Sequence, residues 1–295
     1  MQKNHQSVQE ENDMTSTELA ANVEEYFEYL VREEKSQATR AQYLRDVRLF
    51  LSWLTDDEEV VKELVIRYKE KLQRDYEPAT VNTKLAALNS FFSFLDRLDL
   101  KVKQVKIQRQ TYCSQSKELT FEEYERLVAA AKEQGNEKLS LIIQTICATG
   151  IRVSELSFIT VEAVDMGEAN IQMKGKNRTI LLPGKLKKTL RNYIKKQGIK
   201  TGAIFVTRNG RPVNRSNIWK MMKALCESAG VDPKKVFPHN LRHLFARKFY
   251  SIDHDIAKLA DILGHSSINT TRIYIITTSR EHQKRLDEMK LVLEV

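Results

Sequence analysis

His239 and Arg242 stand three residues apart in the run Pro238-His239-Asn240-Leu241-Arg242. Further along, Leu263-Gly264-His265 adds a second histidine, and Thr270-Thr271-Arg272-Ile273-Tyr274 adds a tyrosine. Upstream, Gly150-Ile151-Arg152-Val153-Ser154-Glu155-Leu156 supplies a second arginine and a carboxylate. These residue types suit a phosphodiester. Planar guanidiniums match its two non-bridging oxygens in a fork, and attack at phosphorus adds charge there. One preorganised donor at a developing charge contributes roughly 3–4 kcal/mol in other enzymes. Two arginines and a histidine can therefore supply a large part of the barrier reduction. A phenol has a pKa of about 10, so Tyr274 starts neutral and needs a positive field or a base. His239 and His265 can accept or donate protons near neutral pH. The leaving oxygen needs a proton, which a lysine on a hairpin can give. Lys174, in Lys174-Gly175-Lys176-Asn177-Arg178, has that position, and Lys176 competes for the same role.

What is absent is consistent with this chemistry. The chain shows no clustered carboxylate set for two metals and no glycine-rich phosphate loop ending in Lys-Ser/Thr. Exchanging a phosphodiester for a phosphotyrosine is nearly energy-neutral. Neither a metal nor a nucleotide cofactor is expected.

The elements that must position these groups follow from hydrophobic spacing. Residues 1–14 are polar, acidic and aperiodic, and read as a disordered tail. From Thr17, Leu19, Val23, Tyr26, Phe27, Leu30 and Val31 recur at helical steps. Further helices are predicted over about Ser36–Leu54, Glu59–Tyr76 and from Pro78 onward, giving a small bundle over residues 15–100. Residues 101–116 lack a period and read as a linker. A second domain, 117–295, opens with Thr120 as N-cap and Glu123 three residues later. An apolar helix follows at about Lys138–Thr149. Two short strands, Asn170–Met173 and Thr179–Leu182, form a hairpin with a basic tip. Helices return at about Gly184–Gln197, Asn214–Ala229, Pro238–Tyr250 and His254–Leu263. In this scheme His239 and Arg242 share a helix face, as do Arg152 and Glu155. Gly264 is a C′ glycine that turns His265 off a helix end, and Ser266 or Ser267 caps the short helix delivering Tyr274. A last amphipathic helix, 279–293, carries Leu286, Met289 and Leu293. His243, His254, Tyr250 and Tyr193 are read as structural. The fold class is mainly α with a small β-sheet.

Charge distribution points to a polyanionic partner. Of the 295 residues, 48 are Lys or Arg and 39 are Asp or Glu, for a net charge of +9. Residues 1–115 hold 17 basic and 20 acidic residues, so residues 116–295 hold the other 31 and 19 and carry the whole positive excess. Between Glu168 and Glu227 there are 15 Lys or Arg and no acid. Such a surface repels itself unless a polyanion sits near it, and double-stranded DNA is the leading candidate. No apolar run approaches the roughly 20 residues that span a bilayer, and the first residues contain no apolar signal core. The 3 cysteines, Cys113, Cys147 and Cys226, show no metal spacing. A cytoplasmic, nucleoid-associated protein without a membrane partner is expected.

Over about residues 17–290 the chain resembles the tyrosine recombinase (phage integrase) family, in its compact Xer-like branch. The match is strongest in ATGIRVSELSFI, PHNLRHLFA and LGHSSINTTRIY. The resemblance implies a helical core-binding (SAM-like) domain and a mixed α/β catalytic domain that together clamp DNA. It implies that Arg152 and Arg242 hold the phosphate, Glu155 supports Arg152, and Lys174 is the general acid. His239 and His265 would assist, and Tyr274 would be the nucleophile of a 3′-phosphotyrosyl intermediate. It further implies a homo- or heterotetramer assembled on DNA that proceeds through a Holliday junction. The hairpin tip is one residue tighter than the commoner family spacing between its lysines, which keeps Lys176 in competition with Lys174. Type IB topoisomerase-like strand relaxation, or a catalytically silent DNA-binding relative, stay open at this point.

Overall fold

The computed structural model describes residues 14–107, 118–173, 176–274 and 287–289. They fall into two compact units, one within residues 1–109 and the other within 110–295.

The first unit is a helical bundle of α1 (Ser16–Ala21), α2 (Val23–Arg32), α3 (Gln37–Leu51), α4 (Lys62–Asp75) and α5 (Pro78–Phe94). Thr15 begins α1 with a reciprocal capping box to Glu18. The single helix expected from Thr17 is divided at Asn22, which caps α1 and opens α2. Tyr26, Phe50, Tyr68, Phe91 and Phe92 fill the centre, all essentially buried. Their rings meet edge to face, as between Tyr26 and Phe91 at 5.0 Å. Residues 101–107, part of the stretch read as linker, run along this bundle. The Asn89 amide exchanges two hydrogen bonds with the backbone of Val102, and Asn82 does the same with Val105. Two side-chain amides thus replace a missing strand partner for extended backbone.

The second unit comprises α6 (Phe121–Glu133), α7 (Glu137–Thr149), α8 (Val161–Met166), β1 (Glu168–Met173), β2 (Lys176–Leu181) and α9 (Gly184–Gln197). It continues with α10 (Arg215–Ala224), α11 (Cys226–Ala229), α12 (Pro238–Asp253), α13 (Ile256–Leu263) and α14 (Ile268–Arg272). Thr120 and Glu123 form the expected capping box at α6. Helix α7 is apolar nearly all round, with Leu139, Ile142, Ile143 and Ile146 buried, because α6, α9 and α12 pack against it. The hairpin pairs β1 and β2 antiparallel, with Ile171 opposite Arg178 and Met173 opposite Lys176. Ala169, Ile171 and Ile180 face the core, and burial of each isoleucine stabilises by roughly 1.5–3 kcal/mol. Among the described residues no helix is long and apolar enough to cross a membrane. The C-terminal helix expected at 279–293 falls outside the described residues, apart from 287–289.

Candidate active site

Five elements deliver the site. Helix α7 ends at Gly150, which adopts φ +64°. A Cβ there would stand 2.5 Å from the Phe245 ring, so glycine is required both for the turn and for the approach of α12. The chain then enters a 3-10 turn, Val153–Phe158, rather than the α-helix expected at Arg152. The predicted pairing survives this difference. Glu155 accepts from the Arg152 backbone N–H at 2.8 Å and pairs with its guanidinium at 2.9 Å. The Arg152 side chain remains 41% exposed, so its outer edge is open to a ligand.

Arg242, on α12, is 2% exposed. Its Nη1 donates to the Gly150 carbonyl. Its Nη2 donates to the Leu263 carbonyl at 2.7 Å and lies 2.9 Å from His265 Nε2. A guanidinium has no acceptor, so Nε2 of His265 must accept. The proton of that imidazole is therefore on Nδ1, where it donates to Thr271 Oγ1 at 2.8 Å. Thr271 belongs to α14, capped by Ser267, whose Oγ accepts from the Asn269 N–H. Its carbonyl in turn accepts from the Tyr274 N–H at 3.0 Å. One chain of hydrogen bonds thus runs from Arg242 through His265 and Thr271 to Tyr274.

Tyr274 is 3% exposed and packs with Ala246, Leu259 and Leu263. Three imidazoles surround its ring. His265 stacks on it at 5.6 Å and 11°. His243 meets it edge to face at 4.4 Å, and His239 lies 5.8 Å away. His243, read from sequence as structural, is thus the closest of the three by ring centroid, and its Nδ1 is buried without a partner among the described residues. Spacing alone carried a signal here: His239 and His243 lie four apart on α12 and their rings touch at 4.8 Å. The sequence reading also passed over Arg178. Its Nη2 ion-pairs with Glu155 and its Nη1 donates to the Ile262 carbonyl at 2.9 Å. Lys174 lies outside the described residues, and Lys176 opens β2.

The field at the site is strongly positive. Burial pushes the Arg242 guanidinium down to about 10, and the charge of Arg152 adds to the effect. Burial opposes ionisation of Glu155, but the backbone bond from Arg152, the charge of Arg178 and the side-chain bonds from both arginines hold its carboxyl below the usual range. Burial, then the charges of Arg242, Arg215 and Arg152, lower His239. Burial, reinforced by Arg242, Arg152 and Arg178, pushes His265 down to about 4. Burial, followed by His239, Arg247 and Arg242, does the same to His243, also to about 4. These imidazoles are neutral at pH 7, so His265 acts as an acceptor for Arg242 and not as a cation.

Acid should destabilise the fold through these imidazoles. Unfolded imidazole titrates near 6.5, well above the folded values. Between the two, the unfolded chain binds more protons. The contribution is therefore complete above about pH 6.5 and is lost as pH falls towards the folded values. Thermal melts between pH 7 and 4.5 should show Tm falling, and His243→Phe should fall less steeply. Parallel profiles for the two proteins would show that His243 is not buried as the neutral form.

Comparison with known proteins agrees with this architecture. Residues 117–281 match the phage integrase family model, and residues 23–98 match the N-terminal SAM-like domain of phage integrases. The chain is 30% identical over 280 residues to tyrosine recombinase XerA of Thermococcus kodakarensis, covering 92% of this chain and 95% of that protein. It is 30% identical over 269 residues to tyrosine recombinase XerD of Halalkalibacterium halodurans, covering 82% and 88%. The crystal structure of a lambda integrase tetramer bound to a Holliday junction shares the fold, with a TM-score of 0.72 at 18% identity over 90% of this chain and 78% of that one. With both family models matched, one over the SAM-like unit and one over the unit that holds Arg152, Arg242, His265 and Tyr274, this chain belongs to the phage integrase family of site-specific tyrosine recombinases.

Proposed function

We propose that the chain cuts and rejoins double-stranded DNA through a covalent 3′-phosphotyrosyl link to Tyr274. The observation that carries this reading is the hydrogen-bonded chain from Arg242 through His265 and Thr271 to the backbone of Tyr274. Arg152, with its exposed edge, and Arg242 hold the non-bridging oxygens, and Glu155 fixes Arg152. The Tyr274 oxygen forms a bond to phosphorus as the bond from phosphorus to the 5′ oxygen breaks. The phenol gives up its proton to the neutral imidazole of His239, while His265, with both ring nitrogens committed to Arg242 and Thr271, assists by holding Arg242 in place. The 5′ oxygen leaves with the electron pair and takes a proton from Lys174. Religation runs the same steps backwards, so the bond energy is conserved and neither metal nor ATP is used. Four protomers, of one kind or two, assemble on paired duplexes and pass through a Holliday junction. The lambda integrase tetramer supports that assembly by analogy of fold.

The test is a nicked duplex library incubated with the protein in EDTA without nucleotide. Adducts that survive denaturation, with DNA attached to the peptide containing Tyr274, are expected. Adducts that appear only with a divalent metal, or on another residue, would refute the reading. The basic surface between residues 169 and 226 should bind phosphates, so affinity should fall steeply with salt, by about a thousandfold or more between about 50 and 200 mM. A flat dependence in a filter-binding titration would contradict a phosphate-dominated interface.

A further inference from the structure

Arg178 is not among the residues that meet phosphate in this reading, yet its side chain contacts Glu155, which holds Arg152, and the turn at Ile262 and Gly264 that leads to His265. It lies on β2, four residues beyond Lys174 and two beyond Lys176. Nη2 pairs with Glu155, the same carboxylate that holds Arg152. Nη1 donates to the Ile262 carbonyl, in the last turn of α13 and three residues before His265. Its stem lies over Gly264, where a Cβ would stand 2.5 Å from Arg178 Cδ and 3.2 Å from Nε. Gly264 also has φ +64°, so the turn into His265 and the passage of Arg178 depend on the same missing side chain. Nε of Arg178 is buried against that glycine with no partner among the described residues.

We propose that Arg178 is a positioning residue that holds the Arg152 clamp and the His265 turn in one register. Two features argue for this over a simple ion pair that stabilises the fold. First, the side chain is 11% exposed against 41% for Arg152, so Arg178 sits behind the clamp and cannot replace it at the ligand. Second, Glu155 divides its two oxygens between the two arginines, Oε1 to Arg152 and Oε2 to Arg178. Without Arg178, both bonds left to Glu155 come from Arg152 itself, and nothing ties that pair to β2 and α13. Arg152 then loses a fixed anchor. A displacement of about 1 Å in a positioning group is enough to slow chemistry about a hundredfold.

The inference rests on Arg152 being a phosphate ligand, and its test separates the two ideas. The probe is a duplex recovered as a covalent adduct of the wild-type protein from a random library. It is prepared both as the phosphodiester and as a methylphosphonate at the cut position. The methylphosphonate is uncharged and lacks one non-bridging oxygen, so it gains less from a well-placed arginine clamp. Arg178→Ala should cleave the phosphodiester about a hundredfold more slowly, with the defect at least about tenfold smaller on the methylphosphonate. Arg178→Lys should show the same substrate dependence with a smaller defect, because one ammonium cannot span Glu155 and Ile262 as a planar fork does. It carries the comparison if the alanine variant melts below the assay temperature. Equal defects on both duplexes, or cleavage within about twofold of wild type, would overturn the positioning role. Failure of the wild-type protein to give any adduct would overturn the phosphate reading itself, and this inference with it.

Discussion

Tyr274→Phe should fold normally, bind DNA and form no covalent adduct. Only the phenolic oxygen is removed. The ring keeps its edge contact with His243 at 4.4 Å and its stacking on His265 at 5.6 Å. Its backbone N–H still donates to Thr271. What disappears is the proposed nucleophile, together with the interaction that the hydroxyl makes with Arg242. A stability change of less than about 1 kcal/mol is expected, against a complete loss of cleavage. Denaturing electrophoresis of a nicked duplex with and without the substitution reads the result directly. An adduct formed by the phenylalanine variant would remove Tyr274 from the mechanism.

Arg242→Ala should have the second largest effect, and on two quantities at once. The side chain is 2% exposed and satisfies the Gly150 and Leu263 carbonyls as well as His265 Nε2. Truncation leaves those acceptors buried without a donor, at about 1–3 kcal/mol each, and opens a cavity beside them. A loss of at least about 3 kcal/mol would lower Tm by roughly 6–12 °C in a unit of this size. Cleavage should fall by at least about a thousandfold, because a buried donor to the phosphate and the anchor of His265 are lost together. Melting within about 2 °C of wild type would show that the carbonyls find other donors and that Arg242 does not knit the site.

Much of this was legible locally. The Thr120–Glu123 capping box, the left-handed glycine at 264, the Ser267 cap and the Arg152–Glu155 pair are all set within a few residues. Such features follow from hydrogen-bonding needs at chain ends and turns, which short spacings reveal. What escaped the sequence reading lies between distant elements. Arg178 and Glu155 are 23 residues apart, and nothing periodic links a strand position to a 3-10 turn. The contact of His243 with the Tyr274 ring comes from a segment beyond α14, which local spacing does not show. The break at Asn22 was hidden by an apolar period that continues across it, from Leu19 to Val23 and Tyr26. The course of residues 101–107 depends on Asn82 and Asn89, amides that carry no hydrophobic signal at all.

The near-complete burial of Tyr274 bears on errors. A basic surface holds almost any duplex, since phosphate contacts carry no sequence information. The ring packed under α12 and α13 cannot reach those duplexes until it is uncovered. Each increment of about 1.4 kcal/mol needed to uncover it lowers the fraction of chains able to cut tenfold. Where the protein rests and where it breaks a strand are thereby governed by different contacts. On the phosphotyrosyl reading proposed above, fidelity depends less on how selectively the protein binds than on how rarely Tyr274 is bare.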